Sequence, residues 1–257
     1  MKEVAKKDNT ALALADLLSD EEGFGTEFQK EELAIPFVKI LQAMSNEVKK
    51  SEGEYVEGAE EGDLYHTVTN KAYKKLLFVP CRFQHLLNQW RTREAGGGFV
   101  AAFEAGDPAA PKTVKDEFRD VVVDDPETYI DNTLQYIGLV LDDEGNNLGP
   151  AVVSFKSTGL KIARRFNAAI SAKKLRKSDG TEFRAPIFSH MYELTTKSER
   201  NAKGSWFSYE VGGGEFIKNP QLLTDAMNFA KSLAEERKVF VESEESEPVE
   251  KDDSFEI

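Results

Sequence analysis

The chain has 257 residues, 40% of them apolar and 31% charged, with a formal net charge of −13. That length permits one large or two small domains with a real core under a strongly solvated surface. No run of eighteen apolar residues exists, which excludes a membrane-spanning helix, and the single Cys81 excludes an internal disulfide and points to a reducing, cytoplasmic setting.

Residues 1–32 read as a flexible arm. Ala11 to Leu18 can make two helical turns behind an Asn9/Thr10 cap, and the acidic, loop-like SDEEGFGTEFQKEE follows. The basic start MKEVAKKDNT leads into ALALADLL, which is too short and mixed for a signal peptide. Order begins at IPFVKILQ, where Pro36 suits an edge strand. DLYHTV and AYKKLLFVPCRF flank Thr69-Asn70-Lys71, a hairpin turn. In the second of these strands Leu77, Val79, Cys81 and Phe83 share one face and Leu76 and Phe78 the other, which predicts a central strand. It continues from His85 to Arg93 with His85, Leu87, Gln89, Arg91 and Arg93 on one face.

Gly96 to Gly98 turn the chain into FVAAFE. Residues 105–128, rich in proline and acids, read as a surface insertion. NTLQYIGLVLD is a second two-faced strand, and AVVSFK is another. Ser157 to Ala172 is a helix: Ile162, Phe166 and Ile170 recur every four residues beside Ala163, with Lys161, Arg164 and Arg165 opposite. The connector KKLRKSDG is basic. APIFSHMYELTT and SWFSYEVGG are strands joined by a polar loop. Asn219-Pro220 caps and opens a last helix, with Leu223, Met227, Ala230 and Ala234 as its apolar stripe. About nine strands and two main helices predict an α+β protein. Its core is a mostly antiparallel β-barrel or curled sheet, OB-like in the favoured version. The expected division is an arm at 1–32, one nucleic-acid-binding domain at 33–241, and a disordered tail at 242–257.

That tail, ESEESEPVEKDDSFEI, sets eight acids against one base yet ends on the apolar Phe255 and Ile257. It cannot bury enough surface to order itself, and its apolar tip favours partner contact over mere solvation. The opposite charge lies between Ser154 and Tyr209, where twelve bases face four acids. Single strands are bound by basic grooves that track phosphate and by aromatics that stack bases. Lys156, Lys161, Arg164, Arg165, Lys173, Lys174, Arg176 and Lys177 are the phosphate candidates here, with Arg91 and Arg93 from the earlier strand. Trp206 beside Lys203, and Trp90, are the stacking candidates. Taken singly, each base is an ordinary solvated side chain; the clustering carries the expectation. No metal site, cofactor or catalytic residue is expected. His66, His85, His190 and Cys81 lack paired ligand spacing, and there is no phosphate-binding GxxxxGK[ST] loop or GxSxG elbow.

A basic, aromatic-bearing β-rich body followed by an acidic tail with an apolar tip resembles the single-stranded DNA-binding proteins of bacteria and tailed phages. IPFVKILQAMS, EGDLYHTVTNKAYKKLLFVPCRF and WRTREAGGGF are similar to a family of podophage-type proteins of that class. The resemblance implies that the body coats exposed strands during replication and recombination in the host cytoplasm. It also implies that Asp252, Asp253, Phe255 and Ile257 recruit replication or transcription proteins. Here Phe255 is third from the end where the tails of that class end on Phe. The rival readings are a strand-annealing or recombination mediator, which would form homo-oligomeric rings or filaments, and a DNA-mimicking regulator of a host enzyme or RNA polymerase.

Overall fold

The computed structural model describes residues 36–116, 119–202 and 204–235. The arm, the acidic tail with Asp252, Asp253, Phe255 and Ile257, and the single position Lys203 lie outside the described residues.

Among the described residues thirteen strands and two helices follow in chain order. They are β1 (Phe37–Ile40), β2 (Leu64–His66), β3 (Lys71–Tyr73), β4 (Leu76–Arg91), β5 (Phe99–Glu104), β6 (Thr113–Asp116), β7 (Arg119–Val122), β8 (Asp125–Leu141) and β9 (Asn147–Phe155). Then come helix α1 (Leu160–Ser171), the short pair β10 (Lys174–Arg176) and β11 (Glu182–Arg184), the long pair β12 (His190–Asn201) and β13 (Gly204–Phe216), and helix α2 (Pro220–Glu235). Eleven strands share one mixed sheet in the order β13-β12-β4-β8-β9-β1-β2-β3, with β5, β6 and β7 attached at the outer parts of β4 and β8. The fold is thus mostly β, a strongly curled half-barrel with two helices, as the alternation predicts. It carries eleven strands where an OB barrel has five.

The sheet's axis is the antiparallel pair β4 and β8, running from Leu77 opposite Leu141 to Arg91 opposite Thr128. Both strands are apolar on both faces in their inner halves because each face is covered. On the inner face Leu76, Phe78, Tyr136 and Val140 meet Val153, Phe155, Tyr192 and Tyr209, and α1 adds Ala163 and Phe166. On the outer face Val79, Cys81, Ile137 and Leu139 meet Ala226 and Leu233 of α2. Gly138 lets the two strands close: a Cβ there would lie 2.2 Å from the Val79 carbonyl oxygen and 2.8 Å from the Phe78 ring. In the outer halves the paired side chains turn polar. Gln135 donates to Gln84 at 2.9 Å, Gln89 to Thr128 at 2.8 Å and Asn88 to Thr133 at 3.2 Å.

Curling brings β13, at one end of the sheet path, against β1. No ladder joins them; side chains do. The Gln42 amide donates to the Phe207 carbonyl and accepts from the Phe207 N–H, both at 2.9 Å, as a further ladder residue would. Tyr209 donates to the Val38 carbonyl and Thr196 to that of Gly62.

Several expectations are corrected. β1 is not an edge strand, because it pairs with β2 antiparallel and β9 parallel; Pro36 precedes the ladder and its missing donor costs nothing there. Within the expected surface insertion at 105–128, β6 and β7 pair antiparallel, and β7 extends β8's edge. The basic connector after α1 is itself a hairpin. Of the expected α2 stripe, Leu223 and Ala230 pack against the outer core and Ala234 is exposed; the fully buried members are Ala226 and Leu233, with Leu222 and Phe229 also packed there. The N-terminal signal holds, since the Asn219 carboxamide oxygen accepts from the Gln221 N–H at 2.9 Å.

Phe83 changes face. A bulge between Pro80 and Arg82 inserts one residue, so Phe83 pairs with Tyr136 and leans on its ring at 5.2 Å, on the inner side.

Candidate nucleic-acid interface

Helix α1 is held by its apolar side. The Phe166 ring lies 4.7 Å from both Tyr136 and Tyr192. The Tyr136 hydroxyl donates to the Ala163 carbonyl at 3.1 Å and to Asn167 Oδ1 at 2.7 Å. Burial pushes the Tyr136 phenol well above its ordinary value, so it remains a donor at any physiological pH. Pinned in this way, α1 turns Lys161, Arg164 and Arg165 to solvent, and none of the three makes an ion pair among the described residues.

The chain then enters the β10–β11 hairpin, whose bases are also exposed. Its root is fixed. The Ala185 N–H donates to the Lys173 carbonyl at 2.9 Å, and the Lys173 ammonium donates to the Gly214 carbonyl on β13. Gly214 sits at φ +88, and a Cβ there would come within 2.8 Å of the Tyr192 ring and 2.9 Å of that ammonium, so only glycine permits the approach. Lys174 stands opposite Arg184 and Arg176 opposite Glu182 on one face; Leu175 stands opposite Phe183 on the other. Glu182 holds Arg176 at 3.0 Å and Lys174 at 3.5 Å. The Lys177 ammonium lies 5.9 Å above the centre of the Phe183 ring. From Leu160 to Arg184 there are eight bases and two acids, Asp179 and Glu182.

The predicted site residues thus divide. Lys161, Arg164 and Arg165 on α1, and Lys174, Arg176 and Lys177 on the hairpin that follows it, are all exposed, and Arg184 is exposed with them. Lys173 is part of the scaffold, its ammonium spent on a backbone carbonyl. Lys156 faces Asp131 at 3.8 Å and lies over the Trp90 ring at 5.8 Å.

Trp90 departs from its expected role as a stacking surface. It is only 4% exposed, and Phe99 packs against it edge-on at 5.3 Å, leaving no open face for a base. Arg91 and Arg93 are exposed but lie at the far end of β4. Arg91 is eight residues beyond Phe83 (about 26 Å of strand), so they do not adjoin α1. Trp206 is half-buried on β13, its indole N–H donating to Ser208 Oγ at 3.2 Å. It too lies eight residues along the strand from Gly214.

Two aromatics that the sequence reading missed are exposed where it counts. Phe83 is 38% exposed on the inner face beside α1, and Phe183 is 39% exposed on the hairpin. Pro80 within an otherwise central strand was the available sign of the bulge that re-aims Phe83. For Phe183 the sign was alternation: Lys174, Arg176, Glu182 and Arg184 bracket Leu175 and Phe183 at period two.

Among the described residues no group of three His, Cys, Asp or Glu side chains is arranged to hold a metal ion, and no helix is long and apolar enough to cross a membrane. No curated protein and no solved structure matches the chain. A family model described as "Pam3 phage gp34-like protein" matches residues 6–238.

Proposed function

The chain belongs to the Pam3 phage gp34-like family, and for this member of it we propose sequence-independent binding of single-stranded DNA exposed during phage replication and recombination. The observation that carries the reading is the run of exposed bases on α1 and on the β10–β11 hairpin that follows it in the chain. Lys161, Arg164, Arg165, Lys177 and Arg184 are exposed there and make no ion pair among the described residues, in a chain whose net charge is −13. An acidic protein gains nothing in solubility from such a patch, whereas a polyanion is drawn to it. The acidic tail, with Asp252, Asp253, Phe255 and Ile257, serves in the same reading to recruit replication or transcription proteins.

The test is a salt titration with fluorescently labelled oligo-dT followed by anisotropy. Five phosphate contacts correspond to a slope of log affinity on log salt of about −3.5, hence about a hundredfold loss between 50 and 200 mM salt. Replacing Arg164 and Arg165 together with Ala removes two contacts and flattens the slope by about 1.4. No binding at 50 mM salt, or binding indifferent to salt, rejects the reading.

A further inference from the structure

The hairpin offers more than charge. We propose that Phe183, with Lys177 above it, is a stacking site for one nucleobase of a bound single strand. The inference rests on the single-strand reading of the surrounding surface and names the residue that would make it selective for bases over bare polyanion.

A two-stranded hairpin has only one apolar cross-strand pair to shield, Leu175 and Phe183. Leu175 is half-buried, but Phe183 keeps 39% of its surface in water, on the hairpin face opposite Lys174, Arg176 and Arg184 and beneath Lys177. The ring therefore contributes little burial for its size. What it offers instead is a π-face with a cation above it on a hairpin whose other face is basic, the combination of stacking and charge that single-strand sites use. Lys177 lies at cation–π distance from that face. A base sliding onto the ring displaces a flexible ammonium, which is then placed to meet the flanking phosphate. The ring's position is set in advance. The hairpin is closed at its turn by the Lys177 N–H to the Thr181 carbonyl and the Thr181 N–H to Asp179 Oδ1. Its root is clamped through Lys173 to Gly214. Little ordering is left to oppose binding.

The test uses the full-length protein and its Phe183→Leu and Phe183→Trp variants. Each is titrated with oligo-dT and with an abasic oligonucleotide of the same length, across the same salt range. Leu keeps the apolar contact with Leu175 and loses the π-face. Phe183→Leu is expected to weaken oligo-dT binding by about tenfold, leaving the salt slope and the abasic affinity unchanged. Phe183→Trp is expected to hold its affinity and to show quenching beyond that of the two native tryptophans. Wild-type affinity in Phe183→Leu overturns the proposal. So does an equal loss on dT and abasic strands, which would mark a shape defect in the hairpin. Both outcomes leave the single-strand reading standing. If the wild-type protein binds neither oligonucleotide, that reading and this one fall together.

Discussion

Glu182 is the acid that restrains the proposed surface, and removing it gives an effect of definite sign. Its carboxylate holds Arg176 at 3.0 Å and Lys174 at 3.5 Å, with the three side chains between 46% and 69% exposed. Exposed pairs of this kind contribute about 0.2–1 kcal/mol each, so losing both in Glu182→Gln costs the fold about 2 kcal/mol at most. The same change frees two cations beside Lys161, Arg164, Arg165, Lys177 and Arg184. If both reach phosphate, the salt slope steepens from about −3.5 to about −4.9. Affinity for oligo-dT at 150 mM salt rises several-fold, because two bases no longer have to leave an acid to meet DNA. Glu144→Gln, an exposed acid in the turn between β8 and β9, changes net charge by the same amount far from the hairpin and serves as control. Anisotropy titrations of both variants over 50–300 mM salt separate local from global charge. An unchanged or flatter slope in Glu182→Gln, or an equal gain in Glu144→Gln, refutes the assignment of the surface to the hairpin.

Two further outcomes test the scaffold. Gly138→Ala places a methyl 2.2 Å from the Val79 carbonyl, a clash with backbone that no rotamer relieves. It should cost about 3 kcal/mol and lower the melting temperature by about 10 °C in calorimetry; a loss below 1 kcal/mol would mean that β4 and β8 are not packed as described. His66 is 1% exposed. Its Nδ1 accepts from the Thr69 N–H at 3.2 Å, and its Nε2 has no partner among the described residues. Burial holds its pKa below the ordinary 6.5, so the unfolded chain takes up a proton that the folded one resists. Stability is therefore full above pH 6.5 and declines as the pH falls through the lowered value. His66→Asn should make that decline shallower in urea unfolding at pH 8 and pH 5.5; identical pH dependence in both proteins would place the cause elsewhere.

The candidate surface was half legible in the chain. The exposure of Lys161, Arg164 and Arg165 is legible because helical periodicity alone opposes them to Ile162, Phe166 and Ile170. The pairing of Lys156 and Lys173 is not, because a base's partner comes from distant sequence: Asp131 for one, the Gly214 carbonyl for the other. Trp90 was misjudged for the same reason. Its strand alternation is visible, but the Phe99 that covers it arrives from the next strand.

What the sequence determined by itself is what local physics decides. The helix from Leu160 follows from its period, the start of α2 from Asn219 and Pro220, and the reversal at Thr69-Asn70-Lys71 from Asn70, which adopts φ 52. The two-faced runs announced central strands, and with them a curled sheet carrying helices. The tertiary structure alone decided which ends of that sheet meet, because Gln42, Thr196 and Tyr209 reach partners 165, 134 and 171 residues away. It alone decided the face of Phe83 too, since one inserted residue at the Pro80–Arg82 bulge reverses every side chain beyond it. The exposure of Phe183 belongs to the same class: alternation separates the hairpin's two faces, and only the tertiary structure leaves the Phe183 face uncovered.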